Sequence, residues 1–475
     1  METIRRLYKY VIVSALLLVP SVAQAIPAFA RKYQTSCETC HTIYPKLTPF
    51  GEAFRRNGFR FPGDDPTFIK HETVPMGQDA YKSVFPNAVY PSVIPAAVPL
   101  AFGFNGQSVL HPDTKSGGGR ADNGTAFTLN DLVAEGHVWM GGNFDEKNTF
   151  FGEVTFSSDG TIDVEHARVY FNDLFGPKHM FNLNIGRGFS NLTSFGAHSS
   201  YVADTALIPV SLTSMYGATG GSWSASNQFN GIELSGTIKG RFLYAIGVNA
   251  GNNIDIRPSE SAYAHIGFKI GGMRLDGEGD QGTSNPDKPW AENALTVDLF
   301  GYRSASHYGA TATAADGTMS NVAYDDETLM AGGGFRLQLS SFEWNDITFY
   351  ETHDHADPML LNSSGAPVDV QMLAHSDEIS YIVYPWLVPA VRMEYVHVNP
   401  NGTTSFTDIK IVPGIAMLVR PNIKLTLTGQ IEWADGAPDG GWGAINGFAF
   451  ANNTNPNVKS VVELESVTAA LAYAF

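Results

Sequence analysis

No stretch of this chain after its first residues is apolar for long enough to cross a bilayer as a helix. From about residue 96, however, apolar residues recur at every second position in segments of about ten residues or more, the length of a strand that crosses an outer membrane at a tilt. The clearest case sets Ile423, Leu425, Leu427, Gly429, Ile431 and Trp433 against Lys424, Thr426, Thr428, Gln430 and Glu432. Leu132, Ala134, Val138 and Met140 alternate with Glu135, His137 and Trp139, and Ala167, Val169 and Phe171 with His166 and Arg168. A soluble sandwich would also alternate, but over shorter segments. The expected fold class is therefore all-β: a transmembrane antiparallel barrel of about sixteen strands, beginning near residues 97, 126, 148, 162, 179, 227, 240, 261, 293, 326, 341, 376, 388, 404, 421 and 460.

Connection lengths support the same reading. Short links at 145–147, 176–178, 239–240, 340–341 and 421–422 alternate with long ones near 188–226, 304–325, 352–375 and 434–459, as periplasmic turns alternate with outer loops. One stretch breaks the rule: Gly271–Glu292 should be short and is long, so either a strand extends further or the periplasmic side carries an insertion. At the C-terminus Val467, Ala469, Leu471, Tyr473 and Phe475 alternate with small residues and end on an aromatic, which looks like the terminal strand signal of bacterial outer-membrane proteins. Composition fits: 16% charged residues, below the ~25% of soluble domains, with 12% aromatics and 48 glycines.

The N-terminus reads as an export signal. Arg5, Arg6 and Lys9 precede a short apolar run, and Ala23-Gln24-Ala25 forms a cleavage site, so residues 1–25 are expected to be removed. The net charge of −17 then becomes −19, since three basic residues and Glu2 leave together. A surface this acidic excludes nucleic acid and attracts cations.

Two cysteines are present, both in Cys37-Glu38-Thr39-Cys40-His41. After an export signal, C-x-x-C-H is the attachment pattern of haem c: both thiols add across the two vinyl groups, and the adjacent His41 reaches the iron from the proximal side. A thioredoxin-like pair would need a βαβ context, and a zinc knuckle a second ligand pair; neither is visible. For the sixth ligand Met76 is favoured over His71, and an open or water-bound position is the third option. The expected haem domain, residues 26–95, is proline-rich, with one helix at Lys46–Asn57 stopped by Gly58 and presenting Leu47, Phe50 and Phe54 on one face. So short a segment needs further cover for a haem, which a surrounding wall would supply.

Other polar groups are weighed as sites. His353, His355 and Asp357, in an expected outer loop, suit a divalent metal such as Fe(II); the plain alternative is a solvated loop. Asp276, Glu278 and Asp280 suit Ca²⁺, or an acidic turn. Glu135, His137, His166 and Arg168 should face the lumen, where Arg168 is the best candidate for a haem propionate unless all four simply line a pore.

Pro27-Ala28-Phe29-Ala30-Arg31, the Cys37–His41 motif, and Tyr44-Pro45-x-Leu47-x-x-Phe50-Gly51-x-x-Phe54-Arg55-x-x-Gly58-Phe59 together resemble the N-terminus of the fused monohaem cytochrome–porins of iron-oxidising bacteria. The motif spans only about Pro27–Phe59; the barrel at 96–475 resembles that family in architecture alone. The resemblance implies a haem segment plugging a sixteen-stranded barrel in the outer membrane. It implies Cys37, Cys40 and His41 as haem residues, extracellular Fe(II) as donor, a periplasmic electron carrier as acceptor, and an oxidoreductase of Fe(II):cytochrome c type if the chain is an enzyme. Two alternatives accompany this conduit: a solute porin whose haem segment is a plug or gate, and a conduit that reduces an extracellular acceptor.

Overall fold

A computed structural model describes residues 28–63, 69, 73–75, 83–84, 86, 93–95, 100–111, 126–188, 190–194, 197–201, 229–249, 261–278, 288, 290–313, 319–361, 367–400, 405–435 and 461–474. The N-terminal part holds helix α1 (Ala28–Tyr33), a 3₁₀ turn (Cys37–Thr39), paired strands β1 (His41–Ile43) and β2 (Lys46–Leu47), helix α2 (Pro49–Arg56), and paired strands β3 (Thr73–Pro75) and β4 (Val93–Pro95).

Sixteen strands follow: β5 (Leu100–His111), β6 (Ala126–Asn143), β7 (Asn148–Ser157), β8 (Ile162–Phe171), β9 (Asn182–Gly188), β10 (Phe229–Ile238), β11 (Phe242–Asn249), β12 (Ser261–Gly271), β13 (Glu292–Thr313), β14 (Met319–Ser340), β15 (Phe342–Leu361), β16 (Pro367–Tyr381), β17 (Leu387–Pro400), β18 (Phe406–Arg420), β19 (Ile423–Asp435) and β20 (Val461–Ala474). Each pairs antiparallel with the next, and β20 pairs back onto β5 from Val467↔Leu110 to Ala474↔Gly103, closing the barrel. Closure leaves no strand edge with bare N–H and C=O groups, which is what lets a sheet stand in hydrocarbon. Among the described residues, no helix is long and apolar enough to cross a membrane.

Period two sorts the side chains. On β19, Lys424, Thr426 and Thr428 are buried toward the lumen while Leu427 is exposed on the outer face. Outward Ile246, Ile266, Phe268, Val297, Leu299 and Ile379 form an apolar band. At the end of the short turns a ring of aromatics borders it, with Phe175 stacked on Phe181 at 4.3 Å and Tyr384 on Trp386 at 5.3 Å. Apolar band and aromatic girdle are the outer surface of an outer-membrane barrel.

Two expected outer loops are corrected. Residues 304–325 are mostly strand, since β13 runs to Thr313 and β14 starts at Met319; likewise β15 reaches Leu361 and β16 starts at Pro367, across 352–375. Strands that rise above the apolar band need no apolar face, so their polar sequence resembles a loop. The exceptional stretch resolves the other way: β12 ends at Gly271 and β13 begins at Glu292, so the short-turn side does carry an insertion.

The outer face gives a direct test. Val297→Arg places a charge in the apolar band and should destabilise the barrel by about 2–4 kcal/mol. Thr296→Arg, facing the lumen on the same strand, should cost much less, with both read as urea midpoints in detergent or vesicles.

Candidate functional site

The lumen wall is charged, and two chain segments meet it. The first is the part of the β9–β10 connection at 190–201. Asn191 donates its N–H and side-chain amide to Glu233 on β10 (2.8 and 2.6 Å), and its carbonyl lies 2.7 Å from His265 Nδ1 on β12. Ser194 donates to Asp298 on β13 at 2.9 Å, Asn345 on β15 donates to the Ser199 carbonyl at 3.2 Å, and the Tyr201 N–H donates to Glu378 on β16 at 2.8 Å. From Asn191 to Tyr201 this segment meets β10, β12, β13, β15 and β16 in turn, so it runs along the inner face of the wall past successive strands. Sequence reading saw only a long loop there; Asn191-Leu192-Thr193-Ser194 carries no periodicity that would have announced it.

The second is the N-terminal segment. Lys46, fully buried, donates to Glu343 on β15 and to the Ser199 carbonyl. Glu343 also receives Arg336 of β14 at 3.0 and 3.1 Å. Helix α2 starts at Thr48, whose hydroxyl accepts the Gly51 N–H at 3.0 Å with Pro49 in the first turn. It stops at Asn57–Gly58, where Gly58 takes φ +67°, bearing out the expected stop. On this helix buried Glu52 meets Arg56 at 3.3 Å, Arg55 at 3.4 Å and His198 at 3.5 Å. Burial alone would raise the Glu52 carboxyl; His198, Arg55 and Arg56 outweigh it and hold it well below the usual carboxylate range.

The apolar side of the segment is aromatic. Phe29 stacks on Phe59 at 5.4 Å, Phe59 stacks on Phe151 of β7 at 4.6 Å, and Phe54 meets Phe29, Tyr33, Phe59 and Phe61 edge-on. At the short-turn end Arg60 donates to the Glu146 carbonyl at 3.0 Å and to Asp173 at 2.7 Å, and Thr149 donates to the Gly58 carbonyl at 2.6 Å. Asn57 donates to the Asp276 carbonyl at 2.9 Å. The described start of the insertion, residues 272–278, therefore meets the C-terminal end of α2. Of its acidic residues, Asp276 pairs with Arg274 at 2.6 Å, and Glu278 with Lys178 at 2.6 Å and His179 at 3.1 Å. Asp280 lies outside the described residues.

Cys37 opens the 3₁₀ turn, Cys40 caps its end, and His41 opens β1. His41 Nδ1 lies 3.3 Å from the Pro45 carbonyl, which assigns the ring proton to Nδ1 and leaves Nε2 with its lone pair, the arrangement that a metal-ligating imidazole needs. Burial lowers the His41 pKa to about 4, so the ring is neutral. Burial also pushes the Cys40 thiol up to about 12 and raises Cys37. A redox dithiol needs its thiols shifted downward, so the pair is unlike a thioredoxin site. Gly51 packs α2 against this turn: a Cβ there would sit 2.0 Å from the Cys40 carbonyl oxygen. The donor set and the Nδ1-protonated tautomer of His41 fit a haem c attached at Cys37 and Cys40. His71 and Met76 lie outside the described residues.

The remaining expected residues fall on strands. Arg168, Glu135, His137 and His166 are on the lumen side of β6 and β8, with Arg168 and His166 buried. His353 is not in an outer loop; it is buried within β15, 3.0 Å from Glu351 and 3.2 Å from Thr328. The side chains of His355 and Asp357 lie outside the described residues.

No known protein family matches the chain, and no curated protein does. Solved structures do. OmpT of Vibrio cholerae, folded in vitro, aligns at 11% identity over 82% of this chain and 99% of its own, TM-score 0.49. An anion-selective porin from Comamonas acidovorans aligns at 12% over 80% and 99%, TM-score 0.47, and OprB of Pseudomonas putida at 8% over 79% and 94%, TM-score 0.45. At these identities the likeness concerns the barrel alone. The expected Fe(II) oxidation and electron transfer, with the descriptions cytochrome c, haem, iron oxidation and metal-binding, are corrected on this point: the structures found are outer-membrane proteins and porins and lend them no support, and what stands is the barrel. The physical reason is that sixteen-strand closure with an apolar outer face fixes a membrane barrel and brings no cofactor chemistry of its own.

Two outcomes are expected here. Lys46→Met removes the buried ammonium from Glu343, which keeps Arg336, and should loosen the N-terminal segment by about 2 kcal/mol, seen as faster proteolysis within residues 28–63 while the barrel stays heat-modifiable on gels. Burial, with Arg55 and Arg56, lowers His198 from 6.5 to about 3. A histidine lowered on folding contributes stability that is lost as pH falls from its unfolded to its folded value. Protection of the segment should thus decline between about pH 6.5 and 3, and His198→Gln should flatten that decline.

Proposed function

We propose that this chain is an outer-membrane pore for small polar solutes, exported with loss of residues 1–25, whose periplasmic end is filled by the N-terminal segment acting as a plug or gate. The observation that carries it is the inner face of the closed barrel, where Glu233, His265, Lys269, Asp298, Glu343, Arg392, Glu394 and Lys410 are turned away from the apolar outer band. A polar inner wall holds water, and water carries solutes. The gate reading rests on the contacts of Lys46, Asn57, Gly58 and Arg60 with lumen-side and short-turn residues, and on the 190–201 segment that supports Lys46 from the other side.

In this reading the plug carries one haem c, with Cys37 and Cys40 forming the thioethers and His41 the proximal ligand. When bound, the group supplies an iron whose ligation can change, as a sensing gate requires. The chain's own part is to orient: Pro45 fixes the His41 tautomer, Gly51 seats α2 on the attachment turn, and Phe29, Phe54 and Phe59 anchor the segment to Phe151.

Conductance in planar bilayers tests the pore. The full chain should show small or rare openings, and a variant lacking residues 28–63 should show large ohmic steps. A barrel that is folded and silent in both forms overturns the pore. Equal, large steps in both overturn the gate. Peroxidase staining after denaturing electrophoresis checks the haem separately: it should mark the full chain and vanish in a Cys37→Ala/Cys40→Ala variant.

A further inference from the structure

On the lumen side of β6, β7 and β8, four side chains that can ligate metal converge. Glu153 places Oε1 3.1 Å from His137 Nδ1 and Oε2 2.9 Å from His166 Nδ1. Glu165 reaches the same place, its Oε1 2.7 Å from the Thr155 hydroxyl, which in turn lies 3.2 Å from His137 Nδ1. Strict alternation would send Glu165 to the opposite face from His166. It faces the lumen because the ladder slips between Glu153↔His166 and Val154↔Val164, leaving Glu165 as the extra residue of a bulge. Bulges re-aim side chains in this way, commonly beside functional sites. Room is also kept for the His166 ring: a Cβ on Gly188 would stand 2.9 Å from its Cδ2.

We propose that Glu153, Glu165 and His166, with His137 beside them, form a site for one divalent first-row transition-metal ion of the Zn²⁺ class. One ligand atom from each of Glu153, Glu165 and His166 lies within 4.8 Å of the others. A tetrahedral ion with bonds near 2.1 Å holds its donors about 3.4 Å apart, so small side-chain rotations complete the set. Two carboxylates cancel the double charge of the ion, and imidazole with carboxylate suits Zn²⁺, Co²⁺ or Mn²⁺ better than Ca²⁺. Glu153 touches both imidazoles, which turns the two rings toward the same point. The site is a property of the barrel wall and does not depend on the pore reading.

A second His/carboxylate group supplies the control. Asp346, His375 and Asp377 also lie within 4.8 Å of one another, but on β15 and β16 they alternate with buried Asn345, Ser376 and Glu378, and so lie on the outer face. The full chain in detergent, freed of metal with chelator, is titrated with Zn²⁺ by calorimetry and with Co²⁺ by absorption. One ion per chain is expected. Glu165→Gln and His166→Gln should each weaken binding tenfold or more, with heat-modifiability retained, whereas Asp346→Asn should change nothing. Absence of stoichiometric binding, unchanged binding in both lumen variants, or loss of binding in Asp346→Asn would each overturn the proposal.

Discussion

Everything in this molecule depends on the hydrogen-bonded seam between β20 and β5. Until the last strand pairs with the first, two strand edges carry unpaired peptide groups that hydrocarbon cannot satisfy. Once it forms, every strand of the barrel has two neighbours, and the outer face can be apolar because the backbone no longer needs water. Only then does an inner face exist that is screened from lipid and free to hold charge. The charged lumen is thus a consequence of closure.

Inside that wall, ionic and hydrogen-bonded contacts take the place that apolar packing has in a soluble core. Lys46, Glu343 and Arg336 form one buried group, Glu52 with Arg55, Arg56 and His198 another, and His265 with Asp298 a third, the last at 2.8 Å. Buried pairs of this kind add little net stability, yet losing one partner is costly, so they fix position more than they strengthen the fold. The N-terminal segment and residues 190–201 are held by such pairs, and so each is seated in one register against the strands. The aromatic stack from Phe29 through Phe59 to Phe151 adds the apolar part of that seat.

Much of the barrel was legible because period two is imposed by the membrane itself: each of the sixteen expected segments has its strand, and Lys424, Thr426 and Thr428 face inward as their spacing requires. Legibility ended where the membrane ended. Above the apolar band alternation no longer separates apolar from polar, so the upper parts of β13–β16 read as loops and His353 read as solvated when it is buried. At the candidate site, the Cys37–His41 motif was plain in sequence, since its chemistry is local. Its surroundings were not: the tie from Lys46 to Glu343 spans 297 residues, and the bulge at Glu165 is a slip of pairing that no single strand displays.

By itself, then, the sequence determined the class of fold, the strand number, the inward and outward faces, the helix that ends at Gly58, and the irregular length of the 271–292 connection. These follow from short-range rules of spacing, turn chemistry and hydropathy. Only the tertiary structure decided that the long connection meets the end of α2 through Asp276, and which loop lies along the inner wall from β10 to β16. It also decided that Glu165 shares a face with His166. Those outcomes depend on which distant side chains closure brings opposite one another, and that is set by the register of sixteen strands together.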